Sequence, residues 1–223
     1  GEVLVLADAG TGFTDDGYMV GARTWTIAFE ATDAAFVGTP ILPGGRALRA
    51  TIRLPRPEWR QVLAPGDPVL DMHIPAEGAF TLEAIDDALA QSVPFFQEFQ
   101  PDTQIVAFTC WSWLFSPQLE AMLGADSNIV RWQRTGYMLP NDSGADDFLT
   151  FTFNQPAIDL ATAPRDTRLR RAVIAFLEGG GTLMCGSFLL LIDDRERMLE
   201  EPYRQRSDEI IRRLVQQAGQ MTT

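Results

Sequence analysis

Asp71 and His73 stand two residues apart in the stretch LDMHIP and are the residues of this chain best suited to acid–base chemistry. Residues two apart in a strand point to the same face, so the carboxylate can orient the imidazole. A histidine beside a carboxylate is a competent general base for an amine nucleophile. Ser112, which stands between Trp111 and Trp113, is a further candidate as a polar contact in a ligand pocket.

Each candidate also has a purely structural interpretation. His73 would then only hydrogen-bond backbone at the end of its strand, and Ser112 would be a satisfied strand hydroxyl. Asn128 is either a helix cap or a cofactor ligand. Arg131 and Arg134 lie three apart on one predicted helix, where they either receive a phosphate or form a solvated pair.

The basic residues exclude several chemistries. All 18 are arginine, since the sequence contains no lysine, which removes Schiff-base formation on a lysine and the P-loop lysine. A single histidine and the lack of a CxxC pair exclude multi-histidine zinc sites, and no metal is expected. The net charge of -12 argues against nucleic acid as a partner.

Two further features of composition concern location. No apolar run approaches the roughly 20 residues of a membrane span, so no membrane partner is expected. Cys110 and Cys185 lie in apolar runs and are predicted to be buried and reduced, which indicates a cytoplasmic protein. The chain begins with glycine before a strand, and we expect a longer N-terminal region to be missing.

A strand–helix–strand unit positions the candidate residues. Residues 69–74 are predicted to form a central strand that carries Asp71 and His73, and residues 105–114 a second central strand beside it. Between them, Thr81 is the predicted N-cap of a helix that bends or ends near Pro94. The two strands are expected to splay and leave a cleft between their ends.

The other elements surround this unit. Residues 23–54 predict three antiparallel strands, residues 128–135 a helix that ends at Gly136, residues 148–153 a strand and residues 167–178 a helix. Residues 193–201 are interpreted as a solvated charged run, with weak cation binding as the alternative. We therefore expect an α/β fold with a mixed sheet. Its parts are an N-terminal strand and glycine-rich linker over residues 1–22, one domain over residues 23–192, and a charged segment with an amphipathic helix over residues 193–223.

A family resemblance rests on LDMHIPAEGAFTLEA, CWSWLFSPQL, DSNIVRWQRTGY and TRLRRAVIAFLEGGG. Together these stretches resemble the GNAT-like C-terminal domain of a group of bacterial acyltransferases. In the wider GNAT superfamily a bulged strand leads through a loop into a helix whose N-terminus receives the coenzyme A pyrophosphate. The resemblance implies the same use of residues 69–81 here, and helix N-termini do bind anionic phosphate.

The resemblance implies acyl transfer from acetyl-CoA or another acyl-CoA to an amine on a small-molecule acceptor. Catalytic roles fall to His73, Asp71 and Ser112. The implied coenzyme-binding residues are Ile74, Ala76, Gly78, Ala79, Phe80, Thr81, Asn128 and Arg131. Trp132 stands where many members carry a tyrosine acid, and the alternative is a non-catalytic GNAT-like module that binds a ligand or a partner domain.

Overall fold

The computed structural model describes residues 1–75 and 80–220 of the chain. Eight short strands come first: β1 Val5–Leu6, β2 Gly12–Phe13, β3 Trp25–Thr26, β4 Phe29–Ala31, β5 Ala35–Gly38, β6 Pro40–Leu42, β7 Arg46–Ala47 and β8 Ile52–Pro55. They are followed by β9 Val69–Asp71, α1 Leu82–Phe99, β10 Ala107–Ser112, a 3₁₀ turn Trp113–Phe115, α2 Leu119–Leu123, α3 Asn128–Thr135 and β11 Tyr137–Pro140. The last elements are α4 Ala145–Phe153, α5 Arg168–Glu178, β12 Gly186–Leu191, a 3₁₀ helix Ile192–Glu200 and α6 Arg204–Gln220.

The largest sheet has the strand order β11-β12-β10-β9. Strands β9 and β10 run parallel and are joined through α1, whereas β12 pairs antiparallel with both β10 and β11. The N-terminal strands form smaller antiparallel sheets with the orders β1-β6-β7, β2-β3 and β4-β5-β8. The predicted antiparallel meander, followed by a strand–helix–strand crossover with flanking helices, is confirmed.

Strand β9 differs from its prediction in one respect. It pairs with β10 as expected, but it lies at the edge of the sheet and ends at Asp71, whereas a central strand over residues 69–74 was predicted. The prediction of a central position was wrong because β8, the preceding strand, pairs with β5 and not with β9. The outer edge of β9 is therefore without a strand partner among the described residues.

Helix α1 begins where its cap was predicted. The Thr81 hydroxyl accepts a hydrogen bond from the Ala84 amide at 3.2 Å, which satisfies one of the free donors of the first turn. The helix runs on to Phe99 and does not end at Pro94. Burial of Leu82 and Leu89 against the main core stabilises the first half of this helix.

Residues 148–153 form part of α4 and not the predicted strand. The sequence FLTFTF also fits an amphipathic helix, because Phe148, Leu149 and Phe153 are buried while Phe151 is exposed. Asn154 ends the helix in the left-handed conformation, with φ of 59°. A window of six residues fits both the strand period and the helix period, and the structure shows the helix.

The apolar core has one main body and two smaller ones. The main body lies on both faces of the large sheet and includes Phe108, Phe188 and Leu189. The second packs under α2, α4 and α5, and contains Cys185. The third is formed by β5 and β8 with Leu214 and Val215 of α6 packed against them. The predicted amphipathic C-terminal helix is confirmed, and its apolar side packs against this third part of the core.

The charged run at residues 193–201 lies mostly in the second 3₁₀ helix, but it is not solvated throughout. Asp194 is buried and accepts a hydrogen bond from the Tyr203 hydroxyl at 2.9 Å. The same hydroxyl accepts from the Leu191 amide at 3.1 Å, so one tyrosine joins the end of β12 to the 3₁₀ helix. Burial raises the pKa of Tyr203 well above its ordinary value, and the hydroxyl keeps its proton.

Gly186 offers a test of the packing between β12 and the turn Trp113–Phe115. A methyl group at this position would lie 1.9 Å from the Phe115 carbonyl oxygen, so Gly186→Ala must displace backbone. Overpacking of this kind costs about 1–3 kcal/mol or more. We expect thermal melts to show a Tm lowered by ~2–4 °C for each kcal/mol. Gly219→Ala is the matched control, since nothing lies within 4 Å of its new methyl group, and an equal loss in both variants would contradict the packing.

The two cysteines are free and buried, as predicted. Burial raises the pKa of Cys110 to about 12, with a contribution from Asp71, and burial likewise raises the pKa of Cys185 to about 11. In both cases the pKa of the folded state lies above that of the unfolded chain. The free energy of unfolding therefore falls as pH rises above the unfolded thiol pKa, because only the unfolded chain can then ionise its thiols.

We therefore expect neither thiol of the native protein to react quickly with a disulfide reagent at pH 8. Both should react once guanidinium unfolds the chain, because the thiolate is the reactive form and exposure restores its ordinary pKa. A spectrophotometric thiol count before and after denaturation measures this. Rapid modification of the native protein would contradict the burial of these side chains.

Candidate functional site

The site is built around the point where β9 and β10 separate. Val69–Asp71 lies opposite Ala107–Thr109, and the Met72 amide then donates to the Thr109 carbonyl at 2.7 Å. Strand β10 continues to Ser112 with β12 on its other side, but β9 has already ended. Among the described residues, the edge of β10 after Thr109 is left without a neighbouring strand. The ladder between the two strands thus ends where a cleft was predicted, and the cleft itself stays a prediction.

The start of α1 is fixed to α3 beside this opening. The Asn128 side-chain amide donates to the Phe80 carbonyl at 3.1 Å, and the Phe80 ring packs edge-on against Trp132 with centroids 5.3 Å apart. Thr81 follows as the N-cap. The position of this helix end therefore depends on a polar contact and an aromatic contact with one neighbouring helix.

Two of the first donors of α1 are already used within the turn. The Ala84 amide bonds to Thr81, and the exposed Glu83 carboxylate accepts from its own backbone amide, which with the Thr81 hydroxyl lowers the pKa of Glu83. Residues 76–79 lie outside the described residues, among them the predicted coenzyme ligands Ala76, Gly78 and Ala79. An anion at this helix end needs help from a basic side chain.

Arg131 is the basic side chain in the cavity beside this helix end. A cavity of about 190 Å³ lies between the start of α1, the outer face of α3 and the end of the second 3₁₀ helix; it is lined by Leu82, Glu83, Arg131, Thr135, Leu199 and Glu201. Arg134 is engaged elsewhere, because it forms ion pairs with Glu120 and, at 3.8 Å, with Glu201. The hydrogen bond to Glu120 raises the pKa of Arg134 and keeps it charged.

Asp71 and His73 are brought together at the end of β9. His73 Nε2 lies 3.6 Å from Asp71 Oδ2, and the two side chains are 94% and 60% exposed. This distance is longer than a hydrogen bond but allows an ion pair once the imidazole is protonated. The exposure of His73 leaves the imidazole accessible to a substrate, and the structure gives it no packing role.

The remaining predicted residues have clear positions. The Ser112 hydroxyl accepts from the Leu114 amide at 3.2 Å and caps the 3₁₀ turn. Strand alternation places Ser112 on the opposite face from Thr109, the partner of Asp71, so it does not join the acid–base pair. Ile74 packs against the main core. The N-cap of α3 is Ser127, and Asn128 is the first residue of that helix.

Two aromatic residues near the site cannot act as acids. Trp132 is buried between the rings of Phe80, Phe115 and Phe188, and its indole N–H has no acceptor among the described residues. The Tyr137 hydroxyl donates to the Ile41 carbonyl, and burial raises the pKa of Tyr137 far above its ordinary value. Neither ring is therefore available to donate a proton to a ligand, and His73 stays the predicted base.

Sequence reasoning missed part of the cavity wall. Leu199 and Glu201 belong to a run that was interpreted as solvated, and no spacing in that run indicates that its end turns back onto α3. Thr135 was predicted only as the last residue of a helix. In residues 1–75 and 80–220 no group of three or more His, Cys, Asp or Glu side chains is arranged to hold a metal. No helix in the same residues is long and apolar enough to cross a membrane.

Comparisons with known proteins extend this description. No curated protein matches the chain significantly. The crystal structure of an acyltransferase in complex with decanoyl-CoA is 26% identical, with a TM-score of 0.51, over 70% of this chain and 46% of the other. An acyltransferase in complex with decanoyl-CoA and teicoplanin is 23% identical, with a TM-score of 0.52, over 71% of this chain and 47% of the other. The chain thus spans about half the length of the solved structures that it matches.

The family comparison agrees with the geometry. The sequence model of a family described as the GNAT-like C-terminal domain matches residues 26–188. This range contains the strand–helix–strand unit, α3 and the Gly136-Tyr137 turn on which the resemblance was based. The solved structures share the mixed α/β architecture of the described residues. The chain belongs to the family of GNAT-like C-terminal domains.

Proposed function

We propose that this domain binds the coenzyme A part of an acyl-CoA and presents the acyl group to an amine on a small-molecule acceptor. The observation that carries the proposal is that the pairing of β9 with β10 ends at Asp71 and Thr109, before the segment that leads into α1. The amides of a pantetheine arm can hydrogen-bond to strand edges that lack a partner, as an added strand would. The helix end beside the opening suits the pyrophosphate.

The charges near the opening support the same placement. Arg131 lines the cavity beside the start of α1, whereas Arg134 is held by two carboxylates. Of the two arginines considered from sequence, we assign the phosphate contact to Arg131. Its positive charge offsets Glu83, which lies in the first turn of α1 and would otherwise repel an anion.

The chemistry that we propose needs one base. His73 takes a proton from the acceptor ammonium group or from the attacking amine, and Asp71 orients the imidazole. The amine nitrogen then attacks the thioester carbonyl, the C–S bond breaks and an amide forms. Coenzyme A leaves as a thiolate, which takes the proton from the His73 imidazolium and becomes the free thiol. A neutral imidazole is required for this step.

The related structures support an acyl-CoA donor in general. One solved acyltransferase is in complex with decanoyl-CoA, and one with decanoyl-CoA and teicoplanin. For this chain the donor class, the amine acceptor and an additional N-terminal domain that contributes to the site belong to the proposal. The two free cysteines are compatible with the expected cytoplasmic location.

The decisive experiment combines binding and turnover on one preparation. Calorimetric titration with coenzyme A tests the coenzyme site, and release of free thiol from an acyl-CoA in the presence of an amine tests transfer. Binding together with amine-dependent thiol release is the expected result. Binding without thiol release would favour the non-catalytic module, and no binding would reject the coenzyme site.

Arg131→Gln should weaken coenzyme A binding several-fold, because one partly exposed charge contact with a phosphate contributes on the order of 1 kcal/mol. Calorimetry measures the Kd of each variant. Arg213→Gln is the matched control, since it removes the same charge from an exposed position on α6. An equal loss of affinity in both variants would attribute the effect to net charge and contradict a contact at Arg131.

His73→Gln should lower turnover by ~10²–10⁴-fold, because glutamine cannot accept the proton. The Tm should stay unchanged, since the imidazole is 94% exposed and has no packing role to lose. Thiol release and a thermal melt on the same sample measure both quantities. If turnover per folded molecule is retained while the Tm falls, His73 is a structural residue and not the base.

A further inference from the structure

Trp111 is an exposed aromatic residue on a strand that lies inside the large sheet. Its side chain is 47% exposed, whereas Cys110, the residue before it, is 4% exposed. A half-exposed indole leaves a large apolar surface in water, and a ligand that packs against the ring would bury that surface. Trp111 lies on β10 beyond the last pair with β9, so the exposed ring stands at the opening itself.

The two faces of the sheet can be told apart from the register. Phe188 pairs with Cys110 and contacts Trp132, which places α3 and the start of α1 on the Cys110 face. Trp111 pairs with Ser187 and therefore lies on the other face. Asp71 pairs with Thr109 and shares the face of Trp111.

With the coenzyme pyrophosphate at the start of α1, as proposed above, this arrangement determines which face of the sheet the acyl end of the ligand reaches. A pantetheine arm that crosses the opening leaves the helix face and emerges on the face that carries Asp71 and Trp111. The thioester then lies close to the proposed base, and the acyl chain continues over the sheet surface. Leu139 lies on this face as well, one strand further on, with Ser187 between it and Trp111.

We propose that Trp111 is the side chain against which the donor acyl group packs, and that it selects chains of medium length over acetyl. This inference rests on the proposed coenzyme site and adds its acyl-chain specificity. An indole face offers contact to several methylenes of a chain but little to a single methyl group, so the gain in affinity grows with chain length.

The test is a set of calorimetric titrations with coenzyme A, acetyl-CoA and decanoyl-CoA. Trp111→Ala should weaken decanoyl-CoA binding on the order of tenfold while the Kd values of coenzyme A and acetyl-CoA stay within about twofold. Trp111→Phe should retain most of the preference, because it keeps an apolar ring. Phe151→Ala removes another exposed aromatic side chain, on α4, and serves as the control.

The outcomes separate the two proposals. Equal weakening of all three ligands by Trp111→Ala, or no weakening of decanoyl-CoA, would overturn the acyl-chain contact and leave the coenzyme site in place. A raised KM for the acceptor amine with unchanged donor affinity would assign the ring to the acceptor and would also overturn it. If the unmodified protein binds none of the three ligands, the proposed function fails and this inference fails with it.

Discussion

The packing of Trp132 is the interaction on which the rest of the site depends. Its ring contacts Phe188 on the sheet, Phe115 in the turn after β10, and Phe80 at the start of α1. One buried indole thus sets the distance between α3, the sheet and the helix end that faces the opening. Aromatic pairs of this type contribute about 0.5–1.5 kcal/mol each beyond their area. The loss of this ring would release three elements at once, so its effect would reach well past its own contacts.

The charged side chains in and around the site fall into two sets, one paired within the fold and one exposed at the end of β9. Charges that hold the fold are paired: Arg134 and Arg204 both contact Glu120, and burial lowers the pKa of Arg204 while Glu120 opposes that change. Charges at the opening are exposed, as in the pair Asp71 and His73. Paired charges keep a fixed geometry at the cost of their freedom to meet a ligand, whereas exposed ones keep that freedom. On α3, Arg134 belongs to the paired set, whereas Arg131, three residues earlier, is exposed.

Local signals predicted local features well, and long-range pairing was predicted poorly. The cap Thr81 was found because a cap depends only on a hydroxyl next to the first turn of the helix, whereas Thr167 was predicted as the first helical residue and is the N-cap. The edge position of β9 was missed because it depends on which partner β8 takes, and that choice leaves no mark on residues 69–74. The helix that contains Phe151 was missed because six residues satisfy both a strand and a helix period. The proximity of Asp71 and His73 was predicted because the two residues are only two positions apart, whereas the cavity wall at Leu199 depends on the tertiary path of the chain.

The short edge strand β9 also affects how the protein behaves in a crowded solution. An open strand edge offers unpaired amides and carbonyls to any extended peptide, and long edges of this kind promote aggregation. Here the strand has only three residues, and Pro68 and Pro75 stand on either side of it without an N–H to donate. The exposed carboxylate of Asp71 adds a charge that an incoming strand would have to desolvate. The edge is thus too short to nucleate the growth of a sheet between molecules.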